Sequence, residues 1–395
     1  MNLSIRPSVL FLFLVFLMST PFQEARAPAR IPETSFRKLE LESQKPVLFI
    51  APKLVCGGTE RAFVDMLHCL PLTNSEYDVC LTQRGGVFED FLPKDVSIIT
   101  LKEATRRRYA TVVSYTAWIP IKSWLGIQAQ RRVQWVHADL RMAAPDYLQQ
   151  QQSLNSVLSA VVGVSDNATA SFMALQPNFK NELCTIPNFM NVEAIKEKSH
   201  EQQLEIRPQP GIVNLVSVGR LSQEKGIDRA IRVHKRLKDE GFAVRWYVIG
   251  DGPLRAILEK KVKKAGLRDK FVFLGFRSNP YPYIKAADIV VLPSRTEAAP
   301  LVVAEALILG RPIVSTDVGN AATRIRSGFN GLVVPNSLKG LYNGVKALLV
   351  NPSLRAQYET QLKGYVYDNA ETVRKVLRVL NYDCATSANS QNSGS

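Results

Sequence analysis

Cysteine is scarce in this 395-residue chain: five residues (Cys56, Cys69, Cys80, Cys184 and Cys384), odd in number and scattered, with no C-x-x-C pair. That argues against a disulfide scaffold and against a structural zinc site. Only four histidines occur, so a histidine-rich metal centre is not expected either. Glycine and proline stand at 22 each, ordinary levels that leave no room for a collagen-like or low-complexity chain. No D-x-D occurs, so a carboxylate-held Mg²⁺ on a diphosphate has no obvious ligands. A P-loop is missing, and the nearest approach to a dinucleotide fingerprint, Gly250-Asp251-Gly252-Pro253-Leu254-Arg255, has arginine in place of the third glycine. A long apolar run is lacking too. Val9–Met18, preceded by Arg6, is shorter than the roughly 20 residues that cross a bilayer.

That run reads as the core of a signal peptide, with Ala25-Arg26-Ala27 as the cleavage site, or as an uncleaved anchor spanning a thinned bilayer. Residues 1–27 are therefore expected to be a signal peptide or membrane anchor, and 28–45 a polar linker. The rest has the composition of a globular protein, 46% hydrophobic and 22% charged. Its length favours two domains over one core. The net charge of +15 points to an anionic partner.

From residue 46 onward, short apolar runs alternate with helical patterns, the signature of a parallel α/β sheet. Strands are predicted at Val47–Ile50, Tyr77–Thr82, Val96–Leu101, Thr111–Ser114, Arg132–His137 and Ala160–Val164, with a helix over Glu60–Leu70. The pattern restarts at Gly211. Strands are predicted at Ile212–Val218, Arg245–Ile249, Phe271–Leu274, Ile289–Leu292, Ile313–Ser315 and Gly331–Val334, with helices over Ile227–Leu237 and Leu254–Ala265. The expected fold is α/β, two Rossmann-like domains facing across a cleft: 46–190, a connector at 191–210, and 211–350. C-terminal helices at 351–386 and a disordered tail at 387–395 complete it. In open α/β sheets the ligand sits beyond the carboxyl ends of the strands.

Candidate residues cluster at those ends in the second domain. Arg220 and Lys225 flank one strand-to-helix turn, where an anion would sit; Gly219 precedes them. Leu301–Leu309 reads as a buried helix with Pro300 in its first turn and Gly310 at its end. Glu305 is its only charge and is expected to have a polar partner. Glu297, eight positions earlier, lies in the preceding loop, so both carboxylates fall on one wall of the cleft. Arg and Lys side chains and helix amides, rather than a metal, are expected to meet a phosphate.

These motifs together resemble the family 4 glycosyltransferases of the GT-B fold, retaining enzymes with an E-x7-E motif, over about residues 46–350. Glu297 and Glu305 match the two glutamates. Arg220 and Lys225 match the G-R-L-x-x-x-K-G turn, Gly250-Asp251-Gly252-Pro253 the G-x-G-P turn, and Gly275-Phe276 the turn beside the nucleobase. Gly57-Gly58-Thr59-Glu60-Arg61 matches the first-domain glycine loop, His137 a histidine near the donor sugar, and Pro187-Asn188 the residues before the connector. Ala298 departs from the glycine that usually follows the first glutamate. The resemblance implies transfer of a hexosyl or N-acetylhexosaminyl group from a UDP- or GDP-sugar to a hydroxyl, without metal or other cofactor. It implies Glu297, His137, Arg220 and Lys225 as catalytic residues. Gly58, Gly219, Arg220, Lys225, Gly250, Phe276, Pro300, Leu301 and Glu305 would bind the donor. In that reading Glu297 takes the sugar hydroxyls and Glu305 the ribose hydroxyls. A GT-B epimerase or phosphorylase, or an inactive GT-B binding protein, is the alternative.

The acceptor is expected to be a lipid-linked or polysaccharide glycan. Lys102, Arg106, Arg107, Arg108, Lys122, Arg131 and Arg132 interleave with Trp118, Ile119, Ile121, Trp124 and Leu125, a composition that suits an anionic membrane surface. An amphipathic segment packing both tryptophans into the first domain is the other reading. No nucleic-acid-binding motif appears, and no nucleic-acid partner is expected. The expected location is at a membrane with the catalytic domain facing the cytosol, or the secretory lumen or outside if a signal peptide is cleaved.

Overall fold

The structure, a computed structural model, describes residues 36–38, 47–55, 57–73, 75–119, 124–142, 156–203 and 205–384. The apolar run at 9–18, the A-x-A site, Ile121, Lys122 and the tail at 387–395 lie outside the described residues.

Two parallel sheets dominate. The first is built from β2 (Val47–Ala51), β3 (Tyr77–Leu81), β4 (Ser97–Ile99), β5 (Arg108–Ser114), β6 (Gln128–Val136), β7 (Ala160–Gly163) and β8 (Glu182–Thr185), in the order β4-β3-β2-β5-β6-β7-β8. The second holds β9 (Val213–Val218), β10 (Val244–Ile249), β11 (Phe271–Gly275), β12 (Ile289–Leu292), β13 (Ile313–Thr316) and β14 (Gly331–Val334), ordered β11-β10-β9-β12-β13-β14. Each sheet starts near its middle, builds outward, then returns to extend the other way. Strand order therefore reverses between β2 and β5 in one sheet and between β9 and β12 in the other. At such a reversal adjacent strands send their loops in opposite directions and leave a crevice.

The strands are apolar on both faces because helices cover both. Successive side chains point to opposite sides. Val216, Ile249, Val290 and Leu292 pack with Val303 and Leu307 of the Leu301–Ile308 helix. Their neighbours Leu215, Val248, Ile289 and Val291 pack with Ile231 and Leu237 of the Ile227–Asp239 helix and Leu341 and Val345 of the Leu338–Leu349 helix. The first core centres on Phe49, Val79, Val113, Val133 and Val161.

Several expectations need correction. The strand predicted to run to Leu101 stops at Ile99, because Thr100 caps a short helix, Leu101–Ala104. Thr100 Oγ1 accepts the Glu103 amide (3.2 Å) and Glu103 accepts the Thr100 amide (2.7 Å), a capping box. The strand β8 was not foreseen; it is four residues long and none of them is fully buried. The segment 28–45 is not wholly a linker. Phe36–Lys38 forms β1, antiparallel to β15 (Tyr382–Cys384), which also ends the expected C-terminal helices in a strand. Pairing between chain ends has no local sequence pattern. The Ala370–Val379 helix, moreover, returns to the first domain, where Val373, Val376 and Leu377 join its core. Pro300 caps the Leu301–Ile308 helix from outside rather than lying in its first turn.

The turn after β10 interlocks with the turn after β9. Gly219 donates to Ile249 O (2.9 Å) and Leu221 to Asp251 O (3.0 Å). Gly250 has φ 138°, and a Cβ there would stand 2.0 Å from Gly219 O. Gly310 has φ 70° but open space around it. Each Gly→Ala change forces a left-handed conformation costing roughly 1–2 kcal/mol; only the first adds a backbone collision. Gly250→Ala should therefore lower the urea midpoint well beyond Gly310→Ala, and equal losses would show that the interlocked turns can part freely.

Candidate active site

The loops leaving both reversal points line one cleft of about 600 Å³, within the size range of small-ligand sites. From the first sheet come Pro52 and Gly57–Arg61 after β2, Thr116 and Trp118 after β5, and His137 after β6. The second sheet supplies Gly219, Arg220 and Lys225 after β9, Gly250 and Asp251 after β10, Phe276 and Arg277 after β11, and Glu297, Pro300, Leu301 and Glu305 after β12. Every site residue picked from sequence thus lies on this cleft.

The loops after β9 and β12 are fastened to each other. Arg295 donates to Asp228 through both terminal nitrogens (2.8 and 2.7 Å), and its amide donates to Glu224 O (2.7 Å). Gly226 has φ 65°, and a Cβ there would meet Pro293 O at 2.2 Å. On this frame Lys225 Nζ lies 2.8 Å from both carboxylate oxygens of Glu297, and Ser294 Oγ donates to Glu297 Oε1 (2.7 Å). Lys225 was expected as a cation free for an anion; instead it is held by Glu297, whose side chain is 9% exposed. A buried carboxylate at the cleft mouth needs such a partner. Arg220 is exposed, and among the described residues its side chain makes no ion pair or hydrogen bond.

The Leu301–Ile308 helix has no side-chain cap at its start. Its first amides face the cleft, where the helix dipole favours an anion. Glu305, one turn in, is 6% exposed. Its polar partner is the charge of Arg61, while among the described residues no hydrogen bond holds its carboxyl group. Burial pushes that group up to about 7; the Arg61 charge opposes this and the Asp65 charge adds to it.

Gly57 and Gly58 open the Gly58–Cys69 helix at the cleft. A Cβ on Gly58 would make ordinary contact with Leu301 Cδ1 at 3.8 Å, so the two domains nearly touch here. Glu60 folds back over Gly57. Burial raises its carboxyl pKa, opposed by its own backbone amide and by the charge of Arg220 across the cleft. His137 packs on Tyr115, ring centroids 4.6 Å apart, and its Nε2 is shielded with no partner among the described residues. Burial pushes its pKa down to about 3, partly offset by a hydrogen bond with the Tyr115 backbone. The ring is therefore neutral near pH 7, able to hydrogen-bond a hydroxyl but not to carry charge.

The basic segment 102–132 does not form one face of free charge. Arg107 pairs with Asp78 (2.8 Å), Arg131 pairs with Glu182 (2.7 Å), and Arg132 donates to Ile127 O (2.7 Å). Trp124 is fully buried, whereas Trp118 is 54% exposed on the cleft wall. Sequence reasoning did not place Trp118, Thr116 or Ser278 at the site. The available signal was position, since Thr116 and Trp118 follow β5 at the reversal point. Among the described residues no group of three His, Cys, Asp or Glu side chains could hold a metal ion, and no helix is long and apolar enough to cross a membrane.

Residues 196–364 match the family model of glycosyl transferases group 1. Among curated proteins, the alpha-D-kanosaminyltransferase of Streptomyces kanamyceticus is 36% identical over 141 residues, 35% of this chain and 36% of that protein. The N-acetylgalactosamine-N,N'-diacetylbacillosaminyl-diphospho-undecaprenol 4-alpha-N-acetylgalactosaminyltransferase of Campylobacter jejuni is 28% identical over 170 residues, 42% of this chain and 46% of that protein. The chain thus spans about a third to under a half of the length of these relatives. Among solved structures, Anabaena HepE in complex with UDP-glucose superposes with a TM-score of 0.72 at 19% identity, covering 85% of this chain and 99% of that one. WaaG, a glycosyltransferase involved in lipopolysaccharide biosynthesis, gives 0.64 at 18% identity over the same shares. These likenesses establish the GT-B fold.

The two cations of the site differ in what they support. Lys225→Ala strands Glu297, so it should lower stability by roughly 1–3 kcal/mol. Arg220→Ala removes an exposed, unpaired side chain and should stay within about 0.5 kcal/mol. Denaturant melts of both variants check this; a neutral Lys225→Ala would mean that the ion pair contributes nothing to stability.

Proposed function

We propose that this chain, whose residues 196–364 match the family model of glycosyl transferases group 1, is a retaining glycosyltransferase. It moves a hexosyl or N-acetylhexosaminyl group from a UDP- or GDP-sugar to a hydroxyl of a lipid-linked or polysaccharide glycan. The observation that carries this reading is the convergence of both reversal points on one cleft bearing Arg220, Lys225, Glu297 and Glu305. The donor class is supported by HepE, which was solved with UDP and with UDP-glucose. The acceptor class is supported by the Campylobacter relative, named for a diphospho-undecaprenol-linked acceptor.

The donor diphosphate lies between Arg220, Lys225 and the amides that open the Leu301–Ile308 helix. As the bond from the sugar C1 to the phosphate oxygen breaks, charge builds on the phosphate, and these groups stabilise it. The acceptor oxygen attacks C1 on the face that the phosphate leaves, and the acceptor proton passes to the departing phosphate oxygen. Glu297 accepts sugar hydroxyls while Lys225 holds it in place, so sugar and phosphate are gripped through one ion pair. Neutral His137 orients a sugar hydroxyl from the opposite wall. Glu305 accepts the two ribose hydroxyls, and a carboxylate suits that work because it only accepts. The backbone at Gly275-Phe276 meets the base. The protein acts at a membrane with its catalytic domain facing the cytosol, or in the secretory lumen or outside if the N-terminal run is cleaved as a signal peptide.

A panel of UDP- and GDP-sugars incubated with the full chain in EDTA should give free nucleoside diphosphate with at least one donor, and that diphosphate should raise the melting temperature. Turnover lost in EDTA and restored by Mn²⁺ would overturn metal independence. No turnover and no thermal shift with any donor would overturn the assignment itself.

The two glutamates should fail differently. Glu297→Gln should lower kcat strongly and largely keep nucleoside diphosphate affinity, since the sugar changes most in the transition state. Glu305→Gln should weaken binding of donor and free nucleoside diphosphate alike, because the ribose is bound equally in ground and transition states. Calorimetry on both variants decides; the reverse pattern would exchange the two roles.

A further inference from the structure

The Gly58–Cys69 helix carries two charged residues toward the second domain. Arg61 and Asp65, four positions apart, share one helix face. Arg61 is 8% exposed, and its Nη2 donates to Ser278 O, 2.7 Å away in the second domain. Its guanidinium lies 4.6 Å from the Phe88 ring centre and 5.6 Å from that of Tyr281. Asp65 is 4% exposed, accepts the Asn191 amide, and leaves Oδ2 with no hydrogen-bond partner among the described residues. Glu305, on the Leu301–Ile308 helix, is buried and lines the same cleft as Arg61.

The charges acting here come from every element packed around the group. Arg61 acts on both Asp65 and Glu305, and Asp65 acts on Glu305. Lys198, at the end of the Val192–Lys198 helix, acts on Asp65. Tyr281, on the Tyr281–Lys285 helix, is a phenol whose pKa burial drives far up, so it stays neutral. One guanidinium thus serves two buried carboxyl groups that repel each other. Burial raises both to about 7, and the charge of Arg61 opposes it most strongly at each.

We propose that Arg61 and Asp65 of the first domain are positioning residues that govern whether Glu305 of the second domain is charged, and through it how tightly the cleft holds a nucleotide. This rests on the reading of Glu305 as the acceptor of the ribose hydroxyls. A charged carboxylate accepts two hydroxyl donors, whereas a protonated one must donate as well and loses acceptor capacity. Arg61 favours the charged form and Asp65 disfavours it. Arg61 belongs to the first domain, donates to Ser278 O of the second and lines the cleft with Glu305, so the charge that favours nucleotide binding comes from across the domain junction.

The two residues therefore have opposite signs, which a merely structural role would not produce. The test is calorimetric titration of the full chain with UDP and with GDP between pH 5.5 and 8.5, each variant compared with wild type at the same pH so that titration of the nucleotide cancels. Wild-type affinity should rise as pH rises through the region near 7. Arg61→Met should bind about tenfold more weakly at pH 7, the equivalent of one charged hydrogen bond lost, and recover toward alkaline pH. Asp65→Asn should keep or gain affinity and hold it to lower pH, while Arg61→Lys should stay near wild type. Profiles that move the same way in Arg61→Met and Asp65→Asn, or that do not move, would overturn the proposal. Should Arg61→Met fail to fold, Asp65→Asn decides alone, and an unchanged or alkaline-shifted profile overturns it. A wild-type chain that binds neither nucleotide would instead sink the functional reading. Unchanged affinity in Glu305→Gln would sink the role of Glu305 in it.

Discussion

A parallel sheet must reverse direction somewhere if its chain is to fill both sides of the first strand. In this protein both sheets do so, after β4 and after β11. The return leaves adjacent strands, β2 with β5 and β9 with β12, whose following loops part from each other. No side chain is needed to open the crevice; the topology does so. What the loops then carry decides the chemistry. Glycine loops and the starts of the Gly58–Cys69 and Leu301–Ile308 helices stand at the rims, and the carboxylates and cations stand on the walls.

The electrostatics of the cleft follow from its burial. A carboxylate removed from water needs a cation, hydrogen bonds or a proton. Glu297 has the first two, from Lys225 and Ser294. Glu305 has only the nearby charge of Arg61, and its pKa rises accordingly. His137 meets the same burial from the other side and is held neutral. The two glutamates differ in the partner each has, whereas burial acts on His137 in the opposite direction because its charged form is a cation.

The two domains meet through polar contacts as well as apolar ones, since Ala298 of the second domain is buried in the first core. Arg61 bonds to Ser278 O, Asn188 Nδ2 lies 3.5 Å from Ala299 O, and Tyr367 OH donates to Asn188 O (2.6 Å). The Ala370–Val379 helix crosses back to complete the first core.

Strand positions in the second domain were legible in the sequence because most of their residues are apolar and buried, and most of the runs are followed by glycine or proline. The helix at 301–308 was legible for the same reason, and Glu305 stood out as the one charge within it. Glu297, Arg220 and Lys225 were visible because the resemblance places them at strand ends. What remained hidden depended on contacts distant in sequence. The pairing of Phe36–Lys38 with Tyr382–Cys384 joins the two ends of the chain. The commitment of Lys225 to Glu297 spans 72 positions, and that of Arg61 to Ser278 spans 217. Trp118 and Trp124 lie in one basic stretch, yet one faces the cleft and the other fills the core. Local composition determines which segments become strands and helices, since periodicity and burial act over a few residues. Only the tertiary structure decides which charge meets which, because Coulomb and hydrogen-bond energies depend on distance in space and not along the chain.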